Sequence, residues 1–266
     1  MSSLEPWDVV ETGTSKVMAS GEEITLQNDP TQRYTNAQIS DYGFSSSQAT
    51  QPLNFQHHAS THLQLIARAE VDHQPADAHT LIGTAGFGFW NHPFSPDAKR
   101  FPQLPRALWF FFASQPSAMD LALDVDGHGW KAAQLDTTSW QALRWVPLAI
   151  PAVLAFQSTR LFRRLYPRIQ QDLKIAEVIL PANLLREDHL YEIVWNEGLA
   201  QFKVDHQVVL QTPFAPQGKM GFTAWIDNQY AVVNPRGRFG GGVIPLAHSQ
   251  SLIVKGISLH HDTASL

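Results

Sequence analysis

The sequence predicts an all-β protein, a two-sheet antiparallel sandwich of jelly-roll type, on three observations. Most of the chain falls into short runs that alternate polar and apolar side chains or are rich in aromatic and β-branched ones. Clusters of Gly, Pro, Asn and Asp separate these runs at the intervals expected of sandwich turns. Only one stretch has helical spacing, and no internal repeat or long linker divides the 266 residues.

Taken in chain order, residues 1–30 are polar and loosely patterned apart from "EITL", and they read as a peripheral N-terminal arm. Residues 31–266 read as a single β-sandwich domain. "YTNAQISDY" and "HLQLIARAEV" alternate as half-buried strands do. "LIGTAGFGFW" places Gly86 and Gly88 between phenylalanines, so something packs closely against bare backbone there. "RALWFFFAS" is an almost continuous aromatic run, expected to be core on both faces. In "MDLALDV" a strand would turn Leu121, Leu123 and Val125 inward and Asp120, Ala122, Asp124 and Asp126 outward.

The exception follows. "VPLAIPAVLAFQSTRLFRRLYPRIQQ" sets Leu154, Leu161, Leu165 and Ile169 at helical spacing beside Arg160, Arg163, Arg164 and Arg168, which predicts a short helical insertion around 147–171. Pro151 and Pro167 should break or kink it. Such a segment covers a sheet, acts as a lid, or rests on a membrane surface. "KIAEVIL", "LYEIVWN", "AQFKVDH", "QVVLQT", "MGFTAWIDNQYAVV" and "SLIVKGISLH" complete the strands.

Composition narrows the function. Hydrophobic residues make up 44% and charged ones 16%, which permits a substantial core. A net charge of -5 argues against nucleic acid as the partner. With no cysteine there is no disulfide, thiolate metal site or cysteine nucleophile. The N-terminus lacks the basic and apolar regions of a signal peptide, so a cytoplasmic location is expected. "WVPLAIPAVLAF" is shorter than the roughly 20 residues needed to span a bilayer and holds two prolines, so no transmembrane segment is expected.

The most distinctive stretch is "EDHLYEIVWNEGLAQFKVDHQVVLQT". Tyr191, Ile193 and Trp195 share one strand face, "NEG" supplies a hairpin turn, and Phe202 and Val204 fill the facing buried row. This pattern resembles the central hairpin of concanavalin A-like sandwiches, closest to the laminin-G-like and family 16 glycoside hydrolase-like members. The resemblance implies a concave sheet that holds an extended glycan, and it raises a structural calcium by analogy alone; the residues themselves indicate no cofactor and no metal ligands. Family 16 enzymes carry Glu-x-Asp-x-x-Glu or Glu-x-Asp-x-Glu on one strand. The nearest match, Asp120 to Asp126, has Ala122 at the middle position and no Glu, so that motif is not retained.

Candidate site residues come from four stretches. Asp124 and Asp126 on one strand face would lie about 6.5–7 Å apart, near the lower limit for an inverting carboxylate pair, and Trp130 follows them. "WIDNQY" combines the indole of Trp225 with Asp227, Asn228, Gln229 and Tyr230, an aromatic platform beside hydrogen-bonding groups of the kind a sugar ring needs. Trp90, Asn91 and His92 end "GFGFWNH", and Arg238 flanks the cleft from the Gly-rich loop "NPRGRFGGG". His57, His58, His62 and His73 match no zinc spacing and read as a solvated loop.

Beside a structural or interaction module with no small ligand, two functions remain open, and with them whether the chain is an enzyme. One is binding of an extended, carbohydrate ligand in the concave groove, with or without glycoside hydrolase-like activity. The other is an intracellular, cofactor-independent lyase, isomerase or cyclase acting on a small hydrophobic intermediate, with Asp124, Asp126, Asp227 or His92 as general acid-base.

Overall fold

The computed structural model describes residues 4–43, 53–72, 80–92 and 103–261, and the architecture below refers to these. Two antiparallel seven-stranded sheets face each other. Sheet A runs in the order β1 (Asp8–Thr12), β4 (Asn36–Ser40), β14 (Gly221–Asp227), β6 (Thr84–Trp90), β7 (Arg106–Ala113), β9 (Gly129–Asp136) and β10 (Ala176–Leu180). Sheet B runs β13 (Gln207–Thr212), β12 (Leu199–Val204), β11 (His189–Asn196), β5 (Thr61–Val71), β17 (Gln250–His261), β3 (Glu23–Asn28) and β2 (Ser15–Ser20). A small third sheet joins β16 (Phe239–Val243), β15 (Gln229–Val233) and β8 (Ala118–Met119).

Period-two patterning builds the core between the sheets. From sheet A, Phe87, Phe89, Phe110, Trp130 and Phe222 point inward; from sheet B, Tyr191, Ile193, Trp195 and Phe202 meet them, all essentially inaccessible to water. The rings interlock edge to face, as at Phe110 and Phe202 (5.5 Å, 82°) and Trp130 and Tyr191 (5.7 Å, 89°). Such pairs add about 0.5–1.5 kcal/mol each beyond the area they bury. The hairpin of β11 and β12 pairs Tyr191 with Val204, Ile193 with Phe202 and Trp195 with Ala200, in the register its alternation predicts.

Three expectations about elements are corrected. The stretch 1–30 is no peripheral arm where it is described: it supplies β1 to sheet A and β2 and β3 to sheet B, with Val17, Ile24 and Leu26 in the core. The Gly-rich stretch 234–242 is a turn followed by β16, which pairs with β15 instead of forming a loop throughout. The "MDLALDV" strand stops after Met119. Residues 120–128 form turns, Ala122 is buried, and Asp124 takes a left-handed φ of 61°.

The helical insertion is wider than expected and comprises α1 (Trp140–Leu143), α2 (Ala149–Ala155) and α3 (Thr159–Asp172). Ser139 caps α1 by accepting from Ala142 N at 3.2 Å. Pro167 sits within α3. The leucines expected to form its apolar stripe do not: Leu154, Leu161 and Leu165 are exposed, and Phe156, Phe162, Tyr166 and Ile169 form the buried side instead. Aromatic side chains take the inward positions because they fill a gap over the 120s turn, where Leu123 packs against them.

Candidate ligand-binding site

Alternation along sheet A leaves a second set of side chains on the face turned away from the core. Reading across the register, Trp225, Gly86, Phe111 and Lys131 form one row, and Thr223, Gly88, Trp109, Ala133 and Glu177 the next. Trp90 closes the strand end and pairs with Gly221 and Ala107. The indoles of Trp90 and Trp225 lie parallel, 6.2 Å apart at 8°, and Trp109 sits beside both at 5.9 and 5.6 Å. Phe111 stacks on Trp109 at 5.5 Å.

The two glycines of "GFGF" make room for this cluster. A Cβ on Gly86 would come within 2.9 Å of the Trp225 ring and 2.4 Å of the Phe110 carbonyl oxygen. A Cβ on Gly88 would meet the Trp109 backbone and Cβ, and its φ of 144° disfavours a side chain as well. Tight packing, one of the two readings of those glycines, is therefore accounted for.

Polar groups rim the aromatics. Trp225 Nε1 donates to Thr84 Oγ1 at 3.0 Å, and Thr84 Oγ1 donates to Asp227 Oδ1 at 2.9 Å. Asp227 Oδ1 also accepts from Gln229 N at 2.9 Å. Burial pushes the Asp227 carboxyl up to about 6, against the downward pull of these hydrogen bonds. At the other end Trp90 Nε1 donates to Tyr42 Oη at 2.8 Å, Gln38 Nε2 donates to the same oxygen at 3.3 Å, and Tyr42 Oη and His92 Nδ1 share a hydrogen bond of 3.2 Å.

The face is not an open trough. The 120s turn lies across it, with Leu121, Ala122 and Val125 packed against Ala107, Trp109, Leu135 and Trp90, and Met119 packed on the cluster of Trp225 and Phe111. Ala122 N donates to Glu177 Oε2 at 3.3 Å, Leu123 N to Gln170 Oε1 at 2.9 Å, and Tyr166 Oη to the Leu121 carbonyl. Beneath the turn Lys131 and Glu177 form a buried ion pair at 3.5 Å. Burial raises the Glu177 carboxyl, Lys131 opposes that, and Asp120 adds to the rise. The helices cap the turn in their own layer. Among the described residues, Trp90 and Trp109 stay half-buried on this face.

The predicted site residues divide accordingly. Trp90, Trp225 and Asp227 come together on this face. Trp130 does not line it: it belongs to the inter-sheet core, because β9 turns even-numbered positions inward. Asp124 and Asp126 are exposed. Asp124 pairs with Arg163 of α3 at 3.0 Å instead of facing the cluster, since the left-handed turn takes it off the strand alternation. Asn91 is a brace, donating to Leu104 O at 3.0 Å and accepting from Arg106 N at 2.9 Å. Asn228 is fully engaged: it accepts from Thr35 N and donates to Arg33 O and Ile244 O. His92 is buried with a left-handed φ of 46°.

Gln229, Tyr230 and Arg238 belong to the small third sheet and its turn, the Arg238 amide donating to Asn234 Oδ1. Among the histidines, His57 is not solvated but buried against Phe89 with its backbone bridged to Met220, and His62 lies within β5; His73 lies outside the described residues. Among the described residues no group of three or more His, Cys, Asp or Glu is placed to hold a metal ion.

Trp109, Phe111, Tyr42 and Gln38 were not singled out from sequence. The signal existed for Trp109 and Phe111, because Gly86 and Gly88 vacate the outward positions beside them.

Neither a family model nor a curated protein sequence matches the chain. Solved structures do. The chain is similar to an endo-acting O-glycanase of prominent human gut microbiota (TM-score 0.50, 10% identity, covering 97% of this chain and 92% of that one). It is similar to the carbohydrate recognition domain of Emp47p (TM-score 0.50, 10% identity, 97% and 90% covered). A Crh5 transglycosylase in complex with NAG aligns at a TM-score of 0.49 and 11% identity over 98% of this chain and 80% of that one. The layers, the strand order and the two similarities at a TM-score of 0.50 together define the fold, that of a concanavalin A-like sandwich.

Proposed function

We propose that this chain binds a carbohydrate at the aromatic cluster on the outer face of sheet A. The observation that carries the reading is the grouping of Trp90, Trp109 and Trp225 on the side of the sheet where they add nothing to the inter-sheet core. A sugar presents C–H faces to indole and hydroxyls to fixed partners; the half-buried Trp90 and Trp109 offer the first, and the Tyr42 and Gln38 pair lies at the Trp90 end. Because the 120s turn covers much of the face, the ligand is short, one or two rings at the Trp90 and Trp109 edge, and not an extended chain along the sheet.

Binding fits better than hydrolysis by Asp227 with Glu177. Asp227 on β14 and Glu177 on β10 are four strand spacings apart, about 19 Å. Glycoside hydrolysis needs its two acids within about 5–9.5 Å. The test is a glycan array followed by calorimetry on the best hit. Trp109→Ala should abolish binding and Asp227→Asn should weaken it only slightly; a chain that binds no glycan, or a Trp109→Ala variant that binds as well as the parent, overturns the reading.

One observation favours the second reading, a cofactor-independent acid-base enzyme. The Asp227 carboxyl, raised to about 6 by burial beside Trp225, is half protonated near pH 6 and can donate a proton. Turnover of an apolar substrate that falls as pH rises through about 6 and vanishes in Asp227→Asn would support it over simple binding.

A further inference from the structure

The exposed large apolar side chains are unevenly distributed among the described residues. Trp140 (71% exposed), Leu143, Leu148, Leu154 (69%), Leu161 and Leu165 all belong to the helical cap and its connections. Phe239 (74%) starts β16, and the turn before it is fastened to the cap. There Gln157 Nε2 donates to Arg236 O at 2.8 Å, and the Arg236 guanidinium lies 4.8 Å from the Phe162 ring.

The same region concentrates positive charge. Residues 140–174 carry Arg144, Arg160, Arg163, Arg164, Arg168 and Lys174 against the one acid Asp172, in a chain whose net charge is -5. Arg144 is paired with Asp172 and Arg163 with Asp124, while Arg160, Arg164 and Arg168 form no ion pair among the described residues. Helical periodicity places these three, with Leu161 and Leu165 beside them, on the outward side of α3, because Phe162, Tyr166 and Ile169 turn inward. A cleft of about 600 Å³ between α1, α3 and Phe214 is lined by Arg144, Arg164, Arg168 and Lys174 with one acid, Asp172; Arg144 and Lys174 are paired there with Asp172 and Asp136, which leaves Arg164 and Arg168 for a ligand.

We propose that the outward side of the cap is a docking surface for an anionic lipid bilayer. The apolar side chains enter the headgroup boundary, and the arginines and the cleft receive headgroup phosphates. Charge complementarity selects an anionic partner for this patch of an otherwise acidic chain. The interleaved Trp, Leu and Phe select a bilayer, since a soluble polyanion would engage the arginines and leave those side chains in water. No helix among the described residues is long and apolar enough to cross a membrane, so the contact is with its surface. The proposal is independent of the glycan reading, which concerns the face beneath the cap.

The test is co-sedimentation of the full chain with phosphatidylcholine vesicles, with and without phosphatidylserine. Binding should require phosphatidylserine and fall with salt. Each arginine near an anionic surface contributes about fivefold to partitioning, so Arg160→Gln with Arg164→Gln should weaken it about 25-fold. Trp140→Ser with Leu154→Ser should weaken it with an unchanged circular dichroism spectrum, both positions being exposed. Three results overturn the proposal: no vesicle binding, vesicle binding insensitive to both double variants, or binding of inorganic phosphate without vesicles. A dimer in sedimentation equilibrium that Trp140→Ser with Leu154→Ser dissolves, with no vesicle binding, overturns it in favour of a second copy.

Discussion

Strand β7 carries two aromatic layers built from one run of sequence. Leu108, Phe110 and Phe112 face sheet B, and Trp109 and Phe111 face the 120s turn. The inward layer is sealed by a second sheet whose own alternation matches it, and Phe110 packs edge to face on Tyr191 and Phe202. The outward layer is sealed by a turn and a helical cap, which leave Trp109 and Trp90 half-buried. Two aromatic faces of one strand therefore do different work: one holds the sandwich together, and the other presents indole at a partly open edge.

The sharpest way to break this comparison is to truncate neighbours on opposite faces. Phe110→Ala should cost about 3–5 kcal/mol in chemical denaturation, as expected for a fully buried ring. Trp109→Ala should cost only ~1 kcal/mol while removing the ligand. Equal costs would mean that the outer layer is core in all but position.

Next in size is Asp136, at the end of β9 where both layers meet. Its carboxylate is inaccessible to water; it accepts from Thr138 Oγ1 at 2.7 Å and Gln217 N at 3.1 Å and faces Arg106 at 3.5 Å and Lys174 at 3.7 Å. Burial raises its pKa, but the hydrogen bonds and Arg106 together hold it below the usual carboxylate range. The stability it contributes is therefore present above pH ~4 and lost as pH falls through the depressed value. Asp136→Ala strands two cations and should cost about 3–5 kcal/mol at pH 7, with less acid sensitivity than the parent in urea titrations.

Asp227 should show the opposite sign. Its folded value of about 6 lies above the ordinary 3.8, so the folded state loses stability as pH rises from about 4 to 6. At 1.36 kcal/mol per unit the loss is about 3 kcal/mol. Asp227→Asn should remove that slope, and thermal melts at pH 4 and pH 7 would read it. The smallest effect belongs to Asp124. Its exposed pair with Arg163 should contribute well under ~1 kcal/mol, so Asp124→Ala should melt like the parent and bind glycan like the parent.

Much of this was legible in the chain. Tyr191, Ile193 and Trp195 against Phe202 and Val204, with a turn between them, specify a hairpin by local periodicity alone, and the structure has that register. "MDLALDV" carries the same alternation and yet is not a strand beyond Met119. Its candidate acids were lost with the strand, since Asp124 leaves the alternation in a left-handed turn. The candidate residues that came together, Trp90, Trp225 and Asp227, lie on regular strands where period two decides the face.

Local alternation thus determined that the chain forms strands, which side chains seal the hairpin and that two glycines leave room beside β7. Which of two apolar faces became the core was decided only by tertiary structure. Period two separates one face from the other but does not say what will cover each. That depends on β11 and β12 arriving from far along the chain on one side of β7, and on the distant α3 holding the nearby 120s turn against the other.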